Sequence, residues 1–199
     1  MPVTWETKYL AQRYQNAVNN AQGRSFEDSI KRACAMYSAQ GRAEIDKTPE
    51  PFRVMEKLRD GIFKGRFTAP AQPDFQGTLN GGRSIVFEAK CTSTDRLKRD
   101  VLTIEQQNTL ERHAARGAVA AVCAGIGNNF FFVPWDVWRD MKEHFGRKYV
   151  TAANLERFRV RFNGAVLFLD YKDESGLLKF CRTGEEFIDE FLKMEVKGP

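Results

Sequence analysis

Asp74-Phe75-Gln76-Gly77-Thr78-Leu79-Asn80-Gly81-Gly82-Arg83-Ser84-Ile85-Val86-Phe87-Glu88-Ala89-Lys90 is the stretch on which the fold turns. Two short extended runs flank Asn80-Gly81-Gly82, whose residues tolerate the positive φ angles of a tight turn, so the segment predicts a β-hairpin. The returning run, Ser84 to Lys90, is β-branched and apolar until it reaches two charges. That is the pattern of a central strand delivering polar groups to a site. Folding the hairpin brings Asp74 and Glu88, thirteen intervening residues apart, to one end of the sheet. Lys90 lies two residues beyond Glu88 and so shares its face of the strand.

Two neighbouring carboxylates repel, and a hard cation relieves the repulsion; Mg²⁺ favours one or two carboxylates, a main-chain carbonyl and several waters. The spacing alone proves little. One fixed Asp-x13-Glu-x-Lys pattern arises by chance in about 0.04 of chains this long, and about ten times as often when the spacing is loosened. Its weight comes from the hairpin after Pro73 and the apolar strand leading into it.

Upstream, Gly23 to Gln40 predicts an amphipathic helix with Phe26, Ile30, Ala33, Cys34 and Tyr37 on one face, a Ser25–Asp28 capping box and Gly41 as its stop. Trp5 to Asn19 predicts a separate helix, with the break at the asparagines before Ala21 and Gly23. Arg42 to Lys47 alternates as a half-buried strand and ends at Thr48-Pro49-Glu50-Pro51. Phe52 to Arg66 has a weak helical pattern and reads as a basic excursion carrying Arg53, Lys57, Arg59, Lys64 and Arg66 against Glu56 and Asp60. Pro70 and Pro73 punctuate the segment between Phe67 and Asp74.

Downstream, Thr103 with Gln106 predicts the capped start of a helix ending near Arg116, where Gly117 stops it. Ala118–Ala124 and Phe130–Val133 predict buried strands, Trp135–Phe145 a helix, Arg159–Tyr171 one or two strands, and Glu185–Met194 an amphipathic helix inside a C-terminal segment 184–199. Phe130, Phe131 and Phe132 are candidates for a dimer face, with a buried strand the commoner use of such a run. Strands alternating with helices make an α/β fold, a mixed β-sheet flanked by helices.

At 199 residues and 42% hydrophobic content the chain supports one core and one domain, 1–199. No run reaches the roughly 18 apolar residues of a membrane span, and Met1 to Leu10 is unlike a secretory signal, so the expectation is a cytoplasmic protein with no membrane partner. Cys34, Cys91, Cys123 and Cys181 form no CxxC pair, and His113 and His144 have no zinc-ligand spacing; the thiols read as buried and reduced. The net charge of +5 permits a polyanionic partner without requiring one. Further basic clusters stand at Arg96, Lys98, Arg99 and at Arg157, Arg159, Arg161; such clusters are more often a solvated face than a phosphate site.

From Gly23 to Gly117 the sequence resembles the RecU Holliday junction resolvases of the PD-(D/E)xK nuclease superfamily. The carriers, in order, are Gly23 to Glu27, Gly41-Arg42-Ala43-Glu44-Ile45-Asp46-Lys47-Thr48-Pro49, Phe67, Asp74-Phe75-Gln76-Gly77, Gly82, Phe87-Glu88-Ala89-Lys90 with Thr92, and Gln107. The resemblance implies a restriction-endonuclease-like core and a Mg²⁺-dependent endonuclease, with Mn²⁺ as a substitute ion. It implies Asp74 and Glu88 as metal ligands, the Ala89 carbonyl as a third, Lys90 as the catalytic lysine, and Glu27 and Gln107 as supports. It implies a four-way DNA junction as substrate and a homodimer. Phosphate contacts are expected from Arg24, Arg42 and Lys47 in the matched motifs and from Arg53, Lys57, Arg59, Lys64 and Arg66 on a stalk-like excursion. Two departures stand out: Gln106 occupies the place where the family usually has a His, and Phe52 to Arg66 is shorter than the family's excursion into the junction centre. Open alternatives are a nuclease of linear, end or flap DNA, an inactive DNA-binding relative, and an RNA-binding protein, for which no aromatic stacking motif is present.

Overall fold

The computed structural model describes residues 5–49, 52–67, 72–171 and 181–196; Met1 to Thr4, the Glu50-Pro51 step, Pro70 and the tail after Val196 lie outside them. In chain order the elements are α1 (Trp5–Ala39), β1 (Ala43–Lys47), β2 (Phe52–Lys57), β3 (Phe63–Phe67), β4 (Phe75–Leu79), β5 (Ser84–Thr92), β6 (Arg96–Lys98), α2 (Ile104–Ala114), β7 (Val119–Ile126), β8 (Asn129–Pro134), α3 (Trp135–Arg139), α4 (Met141–Phe145), β9 (Tyr149–Thr151), β10 (Val160–Phe162), β11 (Val166–Tyr171) and α5 (Gly184–Val196).

The hairpin forms as expected from its turn: Gly81 and Gly82 adopt φ of 99° and 89°, and β4 pairs antiparallel with β5. A five-stranded sheet grows around it in the order β1-β4-β5-β7-β8. The β5–β7 pair is parallel, and the β1–β4, β4–β5 and β7–β8 pairs are antiparallel. This is the mixed sheet that the sequence predicts. Gly77 lets β1 and β4 approach; a Cβ there would stand 2.0 Å from the Glu44 carbonyl oxygen.

Alternation along the strands splits the apolar residues into two cores. Ile85, Phe87, Ala121, Cys123 and Phe132 pack under the C-terminal half of α1, the β10–β11 hairpin and α5. Val86, Val122, Ala124, Phe131 and Val133 pack against α2, α3, α4 and the β6–β9 pair. Glu88 and Lys90 follow Val86 on that second face. Phe131 and Phe132 are thus buried in opposite cores, while Phe130 lies against Phe26 and Phe162 at 5.6 and 4.7 Å; the run is a core strand rather than a free face.

Three expectations need correction. The expected break before Ala21 is absent: from Trp5 to Ala39 the chain is one helix, and Ser25 and Asp28 lie inside it, Asp28 pairing with Lys31 instead of capping. An internal Gly or Asn costs a helix only about 1 kcal/mol or less, which propagation from the packed C-terminal half overcomes. The helix does stop where expected, with Arg42 N–H donating to Tyr37 O and Gly41 N–H to Ser38 O around a left-handed Gly41 (φ 65°). Phe52 to Arg66 is not helical but the antiparallel hairpin β2–β3, turned at Asp60-Gly61, both with positive φ (61° and 75°). Trp135 to Phe145 is broken into α3 and α4 at Asp140, whose ψ is 28°.

All four cysteines are free; three are buried and Cys91 is half-buried. Among the described residues no helix is long and apolar enough to cross a membrane.

Arg42 is no phosphate contact. It is 3% exposed, its Nη2 donates to Asp170 Oδ1 at 2.8 Å, and its guanidinium lies 4.7 Å from the Tyr37 ring centroid. The pair ties the entry of β1 to β11. Removing one member of a buried pair strands the other, so Asp170→Ala is expected to lower the unfolding free energy by about 3–5 kcal/mol. Urea denaturation followed by circular dichroism reads it, and a loss under about 1 kcal/mol contradicts the structural role of the pair.

Candidate active site

Register builds the site. Phe75 pairs with Phe87 across the hairpin, and their rings stack at 5.0 Å and 9°. Asp74 immediately precedes Phe75 and Glu88 immediately follows Phe87, so the pairing delivers both acids to the same rung. Asp74 is held further by its own main chain, its O accepting from Thr48 N–H at 2.9 Å, and by its side chain, Oδ2 accepting from Ala89 N–H at 2.9 Å. Lys90 Nζ lies 3.8 Å from Asp74 Oδ2 and 3.6 Å from Glu88 Oε2. Both distances exceed those of a good hydrogen bond, so the ammonium stands between the acids without being bound to either.

Glu88 is fully buried, whereas Asp74 and Lys90 keep 23% and 21% of their side-chain surface open. Burial, and then the Asp74 charge, push the Glu88 carboxyl up to about 8, against the opposing pull of Lys90. Its Oε1 is buried and has no hydrogen-bond partner. Its Oε2 accepts from Gln106 Nε2 at 2.5 Å. Gln106 is clamped for this by the expected capping box: its Oε1 accepts from Thr103 N–H (3.1 Å) while its own N–H donates to Thr103 Oγ1 (3.3 Å). With the amide oxygen so engaged, the amide nitrogen must face Glu88.

The glutamine expected to support the site, Gln107, does not reach it: its Nε2 donates to Leu102 O at 2.9 Å. Adjacent residues on a helix point about 100° apart, and it is Gln106, in the place of the family's usual His, that faces β5. Glu27 is ion-paired with Lys47, which joins α1 to the end of β1 beside the Thr48–Asp74 contact. Lys47 is therefore occupied by a carboxylate rather than open to phosphate. Arg24, Arg53, Lys57, Arg59, Lys64 and Arg66 are all exposed. Ala89 stands between Glu88 and Lys90 in the strand, with its N–H directed to Asp74.

Among the described residues no three His, Cys, Asp or Glu side chains gather as a metal site. The pair Asp74–Glu88 nevertheless fits a hard cation. An unpartnered buried carboxylate oxygen beside a second carboxylate is the electrostatic problem such an ion relieves, and Mg²⁺ completes its shell with main-chain oxygen and water. The arrangement can bind one such ion, place an ammonium beside it, and exclude water from its inner side.

A family model described as Recombination protein U matches residues 21–174. Among solved structures, Hjc, a Holliday junction resolvase from Archaeoglobus fulgidus, is 16% identical over 67% of this chain and 87% of that chain, with a TM-score of 0.40. No curated protein matches.

Because Gln106 is the donor on Glu88 Oε2, Gln106→Leu is expected to weaken Mg²⁺ binding by about tenfold or more, as outer-sphere partners of ligands do when lost. Gln107→Leu is expected to leave it unchanged. Isothermal titration with Mg²⁺ compares the two, and equal affinities assign Gln106 no part in the site.

Proposed function

The chain belongs to the RecU family of Holliday junction resolvases, and from that membership and the geometry above we propose that Asp74, Glu88 and Lys90 carry its phosphodiester hydrolysis, with a four-way DNA junction as substrate and Mg²⁺ as the ion. The observation that carries the assignment is the convergence of the three side chains at one end of β4 and β5, within 3.8 Å of Lys90 Nζ. Asp74, Glu88 and the Ala89 carbonyl hold the ion, with Mn²⁺ as a substitute. The ion supplies positive charge against the negative charge that grows on the phosphate and leaving oxygen.

The side chains supply the rest. Lys90 orients the attacking water by donating to it and adds a second positive charge beside the phosphate. Gln106 and the Ala89 N–H fix the two carboxylates so that neither has to reorganise during reaction. The Glu27–Lys47 pair keeps α1 and β1 closed around Asp74.

The β2–β3 hairpin supports the junction as substrate. It projects from the site end of β1, and Arg53 is paired directly opposite Arg66, a like-charge juxtaposition that destabilises a sheet unless an anion lies over it. Met55, Leu58, Ile62 and Phe63 are exposed on it, an apolar surface suited to the unstacked centre of a branched duplex. Paired cuts on a junction need two sites related by a two-fold axis, so the active form is a C2 homodimer. Arg and Lys on phosphates make affinity fall with salt and leave base specificity low.

The test incubates the chain and Mg²⁺ with labelled four-way junction, fork and linear duplex. Junction cutting is expected to exceed linear cutting, and Lys90→Ala and Asp74→Asn to lower it by about 100-fold or more with unchanged melting. Equal cutting of all three DNAs sinks the junction reading, undiminished cutting by both variants sinks the site assignment, and cutting in excess chelator removes the ion.

A further inference from the structure

The basic residues Arg96, Lys98 and Arg99 have no place in the site just described, yet the fold brings them to it. β1 is antiparallel to β4 and β4 to β5, so the end of β1, the start of β4 and the end of β5 share one edge of the sheet. The chain leaves that edge in two excursions. One follows Thr48 into β2–β3; the other follows Thr92 into β6, which pairs with β9 in a separate two-stranded ribbon. In chain order the two excursions flank the β4–β5 hairpin that carries Asp74, Glu88 and Lys90.

The ribbon has a clear inside and outside. Leu97 and Val150, paired with each other, are 3% and 0% exposed and anchor it in the core beneath α2 to α4. By alternation Arg96, Lys98, Tyr149 and Thr151 face away from that core. The guanidinium carbons of Arg96 and Arg147 both lie over the Tyr149 ring, 5.2 and 4.7 Å from its centroid. Arg147 is held there by Asn154 Oδ1 (2.6 Å), which also accepts from Thr151 N–H and Oγ1. Lys148 and Lys98 stand exposed beside them. Across 95–100 and 147–151 there are five cations against Asp95 and Asp100. The exposed Arg96–Asp95 pair, at 3.0 Å, is worth little and is readily given up. Of these cations, Arg99 is tied to the Arg139 carbonyl, while gathering Arg96 and Arg147 at Tyr149 with Lys98 beside them costs repulsion that a polyanion relieves.

We propose that the β6–β9 ribbon binds the phosphate backbone of the duplex arm leading away from the cleaved bond. This rests on the nuclease reading above. Arg96 is six residues from Lys90 and so within about 20 Å of it, a span over which a duplex presents roughly one phosphate charge per 1.7 Å of axis. The contact is with phosphates, so it serves any duplex arm, junction or linear, and any sequence.

The test measures binding of labelled four-way junction and linear duplex by fluorescence anisotropy in chelator, across a series of salt concentrations. Lys98→Ala with Lys148→Ala is expected to reduce the log-log salt slope by about two for both DNAs and to raise both Kd values by the same factor. Arg116→Ala, which removes one charge at the far end of the sheet, is expected to keep the parent slope. A double variant with the parent slope, or one that loses junction binding alone, overturns the ribbon. A parent chain that binds both DNAs steeply with salt yet leaves the junction uncut overturns the resolvase reading and not the ribbon; one that binds neither DNA overturns both.

Discussion

Asp74 and Glu88 meet because Phe75 faces Phe87 across the central hairpin, and everything chemical depends on that register. The stacked rings lie at 5.0 Å inside the core under α1, where Phe75 and Phe87 are both 0% exposed. Burying each ring is worth roughly 1.5–3 kcal/mol, more than the repulsion between two partly screened carboxylates is free to unpick. A slip of one residue would turn Phe87 toward α2 and carry Glu88 to the wrong face. The aromatic pair thus holds two like charges together that would otherwise separate.

Such a site has to be stiff, since the repulsion acts on whatever can move. Asp74 is fixed at both ends, by Thr48 on its carbonyl and Ala89 on its carboxylate, and Glu88 is fixed by Gln106. Gln106 is in turn fixed by Thr103 in the cap of α2. The cap therefore serves two ends: it closes open N–H groups at the start of the helix, and it chooses which atom of the amide meets the acid. Among the described residues of the site, Oε1 of Glu88 and Oγ1 of Thr48 remain buried without a hydrogen-bond partner.

Local chemistry was legible in the sequence where a short stretch decided it. Asn80-Gly81-Gly82, the apolar run into Glu88, the Thr103–Gln106 box and the Gly41 stop all act within a few residues, and each stands where it was expected. Asp60-Gly61 is an equally local signal, a strong hairpin dipeptide, but the charges around it hid the alternation of Phe52, Val54 and Phe63. The failures of a different kind are matters of distance. Arg42 finds Asp170 across 128 residues, and β6 finds β9 across the whole of α2 to α4, pairings that no window of sequence contains. Gln106 and Gln107 differ only in the rotation of α2 about its axis, which packing of Leu110 and Leu102 settles rather than propensity.

The end of the sheet that holds Asp74 and Glu88 sends out two insertions beside the tight Gly127 turn from β7 into β8. At the far end the chain turns tightly, through Gly81-Gly82 between β4 and β5, through Gly41 into β1 and through Gly117 into β7. There the connections do little but preserve register. At the end that holds Asp74 and Glu88 the chain instead devotes sixteen residues to the span 52–67 and places β6 directly after the catalytic strand. Both insertions are basic and two-stranded; Leu97 of the ribbon is buried, whereas Val54, Met55, Leu58, Ile62 and Phe63 of the hairpin are exposed. An anchored ribbon presents a fixed row of charge and suits an element common to all duplexes. The hairpin instead exposes apolar side chains beside its cations, a surface of different chemistry from the ribbon's.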